Sequence, residues 1–102
     1  FEPQFSIFYH APALVVVCAQ SANVQAQQDC CLAAQNFLLA ARDANLGTCW
    51  IGLSKPWLDL PETKAELGIP KDYSVVAPIV IGHPQRWPNS HPRQPPMIHW
   101  LR

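Results

Sequence analysis

The sequence predicts an α+β fold in which one long buried helix packs with a small sheet and an extended carboxy-terminal arm follows. Three observations predict it. The stretch Asp29 to Gly52, DCCLAAQNFLLAARDANLGTCWIG, is of helix length and apolar almost all round, interrupted by Gln35, Asn36, Arg42 and Asp43; such a helix needs cover on most sides. Two runs rich in β-branched residues, Ala13 to Ala19 and Tyr73 to Gly82, flank that stretch. Beyond His83, Pro84, Pro88, Pro92, Pro95 and Pro96 rule out a regular helix.

In order, Phe1 to Pro12 reads as aromatic-rich and irregular. Ala13-Leu-Val-Val-Val-Cys-Ala19 suits a strand covered on both faces. Gln20 to Gln28 is polar, with Ser21 and Asn23 as turn residues, and either moves freely or begins the helix early. The helix proper is placed at Gln27 to Asn45 and closed by Gly47, which can take the left-handed backbone of a C-cap. Thr48 to Gly52 reads as short, apolar and extended, and Ser54 to Leu58 as a loop. Asp59-x-x-Glu62 with Pro61, then Leu67-Gly68-Ile69-Pro70, gives the start and stop of a short helix. Tyr73 to Gly82 is the second strand, and Pro78, unable to donate to a ladder, points to an edge or a bulge. His83 onward is the arm.

Composition narrows the function classes. A chain of 102 residues allows one domain, and a domain of that size removes only about 65% of its unfolded surface from water. Apolar residues make up 49%, charged residues 14%, and the formal net charge is zero. That balance excludes a disordered tail and a nucleic-acid binder relying on excess Lys and Arg. No apolar run approaches the roughly 18 to 20 residues of a membrane span, and no charged-then-apolar stretch stands at the start of the residues given. Cys18, Cys30, Cys31 and Cys49 form no C-x-x-C pair and read as reduced, buried thiols of a cytoplasmic protein. The chain begins at Phe1, and Met97 is its single methionine, so it is expected to be an excerpt or processed piece.

YHAPALVVVCA, DCCLAAQNFLLAARDANLGTCWIG and LGIPKDYSVVAPIVIGHP stand in this order between Phe8 and Trp100. Together they resemble the nitroreductase family: the strand after the first half of the domain, the long helix with its flavin loop, and the closing helix end and last strand. The resemblance implies a nitroreductase-like fold of which residues 1–102 are a single partial domain, the carboxy-terminal half, with 83–102 as the arm. The family's domain usually opens with an arginine and serine motif, which is not among residues 1–102.

The resemblance further implies FMN as cofactor, NAD(P)H as hydride source, a small-molecule acceptor such as a nitroaromatic or quinone, and a homodimer built on the long helix. The flavin carries the chemistry and the protein supplies position and electrostatics, so no catalytic triad or paired carboxylate is expected. Trp50, Ile51 and Gly52 match the segment whose backbone N–H groups approach the flavin N5 and O4, and Gly52 lets that backbone come close without a side chain. His91-Pro92-Arg93 falls where the family places a basic pair for the FMN phosphate. Arg93 offers a fork for two phosphate oxygens, and His91 stands where lysine or arginine is more usual.

His83, His91 and His99 recur every eight residues, but a proline-rich arm without a nearby cysteine is a poor zinc site, and no metal is expected. Two other functions stay open on the residues. One is a non-catalytic dimerisation or interaction module that has lost the flavin. The other is a small-ligand binding protein whose pocket is lined by Trp50, Trp57 and Trp87.

Overall fold

The computed structural model describes residues 10–101. The elements run β1 (Ala13–Ala19), α1 (Val24–Asp43), β2 (Gly47–Trp50), a 3-10 turn (Gly52–Ser54), α2 (Lys55–Leu58), α3 (Pro61–Leu67) and β3 (Ser74–Gly82). The irregular segment expected before Pro12 falls mostly outside the described residues.

β3 is the middle strand of a three-stranded sheet ordered β1-β3-β2, antiparallel to both neighbours. Ala13 lies opposite Ile81 and Val17 opposite Ala77, and the register slips between Val17 and Cys18. On the other side Gly47 faces Gly82 and Trp50 faces Ile79. The extended segment after the helix is thus a third strand and one edge of the sheet.

α1 begins earlier than the sequence suggests because Asn23 caps it: its side-chain oxygen accepts the Ala26 N–H at 2.7 Å. Its end also differs. The left-handed residue is Asn45, at φ 63°, and Gly47 belongs to β2. The Leu46 N–H reaches back to the Ala41 carbonyl at 2.8 Å and the Asn45 N–H to that of Arg42 at 3.0 Å, the bond pair of a Schellman stop. The short helix stops as expected at Gly68, φ 77°.

The centre of the core is Ala34 of α1 against Ala77 and Ile79 of β3, with Val17, Phe37 and Leu38 packed around them. Val75 is also fully buried, whereas Val15, Val76 and Ile81 are only half-buried. α1 is covered on one side alone. Only Ala34 and Ala41 are buried along it, and Val24, Leu32 and Leu39 are 70%, 68% and 60% exposed. Gln35 and Asn36 face solvent too.

Two further readings are corrected. Ser54 to Leu58 is not a loop but the end of the 3-10 turn and α2. The cap of α3 is Leu60, with no side-chain bond; Asp59 instead turns to β3 and to two lysines, as described below. Pro78 sits in the central strand and away from the bulge, for a reason that belongs to the candidate site.

Candidate functional site

The candidate site begins where β2 ends. The Ile51 N–H donates to the Pro78 carbonyl at 2.8 Å. In an antiparallel ladder the bonding pairs alternate, so the backbone groups of Thr48 and Trp50 point away from β3, towards the outer side of β2, which is an edge strand among the described residues. The chain then leaves the strand at Ile51, φ −99° and ψ 76°, and enters the 3-10 turn. The N–H groups at the start of such a turn have no acceptor within it. Among the described residues, the backbone N–H groups of Trp50 and Gly52 accordingly have no acceptor within the ladder or the turn.

The side chains there match this arrangement. Ile51 is buried and anchors the turn, Trp50 is partly exposed, and a Cβ at Gly52 would meet nothing within 4 Å. A flat, acceptor-rich ring could approach the backbone at Gly52 without a side chain in the way.

Pro78 can occupy the central strand because of the same turn. In a regular ladder the residue at position 78 would donate its N–H to the Ile51 carbonyl, and proline has none to give. That carbonyl is instead taken by the Ser54 N–H at 3.1 Å and the Ser54 hydroxyl at 2.7 Å. Ser54 is fully buried.

Behind the turn, Asp59 ties α2 and α3 to β3. Its carboxylate accepts the Val75 N–H at 2.9 Å and a bond from Lys55 Nζ at 2.8 Å, and Lys64 Nζ lies 3.7 Å away. Lys64 is itself buried, and its ammonium donates to the carbonyls of Tyr73 and Lys71. Burial pushes the Asp59 carboxyl up, but hydrogen bonds from Lys55 and from the Val75 N–H, with the charges of Lys55 and Lys64, outweigh it and hold the group below its ordinary range.

His91 and Arg93 lie on the arm, which has no regular secondary structure, and both are exposed. The start of the arm is fixed by Arg42, whose guanidinium sits 3.9 Å from the centre of the Trp87 ring. A cleft of about 550 Å³ opens between the first residues of β2, the segment 10–12 and the arm at 83–88. It adjoins the donor edge through Thr48 and Cys49, but Trp50, Ile51, Gly52, His91 and Arg93 do not line it. Trp87 does, whereas Trp50 and Trp57 do not, so the three tryptophans are not gathered in this cleft.

Among the described residues no group of three His, Cys, Asp or Glu side chains could hold a metal ion, and no helix is long and apolar enough to cross a membrane. The thiols are less covered than expected. Cys31 and Cys49 are exposed and Cys18 and Cys30 half-buried, all four free. Burial foremost raises the Cys18 and Cys30 thiols above their ordinary value.

Sequence reasoning missed Ser54, the anchoring role of Asp59 and Lys64, and the grip of Arg42 on Trp87. A serine two residues after a glycine, or a lysine on a short helix, carries no local signal of burial; only the tertiary partner defines it.

The model of the nitroreductase family matches residues 2–83 of the chain. Trp50 to Gly52 fall within that span, and His91 and Arg93 beyond it. A protein of Archaeoglobus fulgidus with the provisional name NADH dehydrogenase/NAD(P)H nitroreductase is 32% identical over 81 residues, covering 74% of this chain and 47% of that protein. One of the same name from Methanothermobacter thermautotrophicus is 32% identical over 94 residues, covering 87% and 49%. The chain thus spans about half the length of the curated relatives it matches. The crystal structure of a nitroreductase with bound FMN from Bacteroides fragilis matches with a TM-score of 0.82 at 26% identity, over 99% of this chain and 57% of that one.

Proposed function

The chain belongs to the nitroreductase family, and from that premise we propose that it forms the carboxy-terminal half of an FMN-dependent NAD(P)H oxidoreductase. The observation that carries this reading is the open donor edge at Trp50 and Gly52, in a chain whose backbone matches a nitroreductase with bound FMN over 99% of its length. When bound, FMN would take a hydride from NAD(P)H and deliver reducing equivalents to a small acceptor such as a nitroaromatic or a quinone.

The chain's own residues bind and orient. The N–H groups of Trp50 and Gly52 offer hydrogen bonds to ring acceptors, the buried Ile51 side chain anchors the turn that carries them, and the bare Cα of Gly52 permits the approach. Arg93 and His91 are the cations assigned to the phosphate. The exposed apolar face of α1, with Val24, Leu32 and Leu39, favours a second copy as its cover, which makes the working unit a homodimer. Four unpaired cysteines suit a reducing compartment, the cytoplasm.

The test is a visible spectrum and FMN titration of the purified chain. Flavin absorbance that stays with the protein through gel filtration is the expected result. A colourless protein that ignores added FMN would overturn the reading in favour of an interaction module.

A further inference from the structure

We propose that Ser54 is a positioning residue for the cofactor-facing turn, its buried hydroxyl setting the direction of the Gly52 N–H by holding the Ile51 carbonyl. The inference rests on the flavin reading above and deepens it. An ordinary strand in the place of β3 would hold residue 51 by two bonds, one in each direction. Here only one exists: the Ile51 N–H donates to Pro78, and Pro78 has no N–H to return.

The Ile51 carbonyl is therefore released from the ladder, and Ser54 takes it twice, through its N–H at 3.1 Å and its hydroxyl at 2.7 Å. The peptide plane that carries this carbonyl also carries the Gly52 N–H, pointing the opposite way across a trans bond. Fixing one end of that plane fixes the other. Ser54 itself is 0% exposed, so no water competes for the hydroxyl, and its loss would leave the carbonyl with one longer bond.

Asp59 provides the contrast. It anchors α2 and α3 to Val75 and to the lysines but touches no atom of the Ile51–Gly52 peptide, so its removal weakens the fold without turning that plane.

The experiment compares the parent chain with Ser54→Ala, Ser54→Thr and Asp59→Asn, reading the Ile51 carbonyl carbon and Gly52 amide resonances without FMN, and then FMN affinity and Tm. Ser54→Ala is expected to move both resonances and weaken FMN binding about tenfold, the loss of one buried hydrogen bond. Ser54→Thr keeps the hydroxyl and is expected to return both, even where its extra methyl lowers Tm. Asp59→Asn is expected to lower Tm and leave both resonances in place. Unmoved resonances in Ser54→Ala, or moved resonances with parental FMN affinity, would overturn the positioning role. A parent chain that fails to bind FMN overturns the flavin reading, and with it the role of Ser54 towards a cofactor, while the resonances still decide whether its hydroxyl sets the turn.

Discussion

The Asp59 carboxylate accepts the backbone N–H of Val75 at 2.9 Å across sixteen residues of chain, joining the end of α2 to the start of β3. Val75 is fully buried, so its N–H depends on the carboxylate for a partner. Asp59→Ala should cost about 2 kcal/mol, the penalty of one stranded donor, measured by urea denaturation. The acid limb follows from the lowered pKa of Asp59. A depressed folded-state pKa gives stability that is present above the unfolded value, near 3.8, and is lost as the pH falls through the folded value. Melting temperature should therefore fall more steeply below about pH 4 in the parent than in Asp59→Asn; parallel curves would remove Asp59 from the acid transition.

The exposed face of α1 makes a prediction about assembly. Val24, Leu32 and Leu39 lie on a helix whose only buried residues are Ala34 and Ala41, and each large apolar side chain gains about 1.5 to 3 kcal/mol when fully covered. Leu32→Glu with Leu39→Glu should shift the chain from dimer to monomer in sedimentation experiments, with the helical circular dichroism retained. A parent already monomeric at the same concentration would show that the cover is not a second copy.

How much of this was legible in the sequence depends on the range of the interaction concerned. β1 was read at its observed bounds, and β3 within one residue, because β-branched runs are a local signal; Gly68 likewise announced the end of α3. The end of α1 was misassigned because both Asn45 and Gly47 can take left-handed backbone, and only the bond from Leu46 to Ala41 decides between them. Pro78 was expected at an edge or bulge. It lies in the middle strand because Ser54, twenty-four positions earlier, takes the carbonyl that a residue 78 N–H would have met. In the site, Trp50 to Gly52 were readable as one continuous segment, whereas Ser54, Asp59 and Lys64 owe their roles to partners distant in sequence or to burial that no local pattern encodes.

Arg42, which the sequence marked only as an interruption of the apolar helix, should prove to hold the arm. Its guanidinium lies over the Trp87 ring at 3.9 Å, and such contacts are worth about 0.5 to 1 kcal/mol at exposed sites. Arg42→Ala should shift tryptophan emission to the red and speed proteolysis of the arm, with little change in Tm. Arg42→Lys should recover part of the protection, since the ammonium keeps the charge but loses the flat stacking surface. Arm cleavage at the parental rate in Arg42→Ala would show that other contacts hold Trp87.

Two glycines separate folding from binding. A Cβ at Gly82 would come within 2.8 Å of the Pro12 Cδ, a ring atom that cannot swing aside, so Gly82→Ala should destabilise the β1–β3 end of the sheet by about 1 to 3 kcal/mol. At Gly52 the same atom would meet nothing within 4 Å, and its backbone is not in the left-handed region. Gly52→Val should therefore leave the melting temperature nearly unchanged. If a flavin lies against this turn, however, the valine side chain enters the space the ring needs, and FMN affinity should fall by at least about tenfold, or 1.4 kcal/mol. Measuring both quantities in both variants settles the assignment: loss of FMN affinity without loss of Tm in Gly52→Val puts the cofactor at the turn, whereas equal losses in both, or unchanged FMN binding, would take Gly52 out of the site.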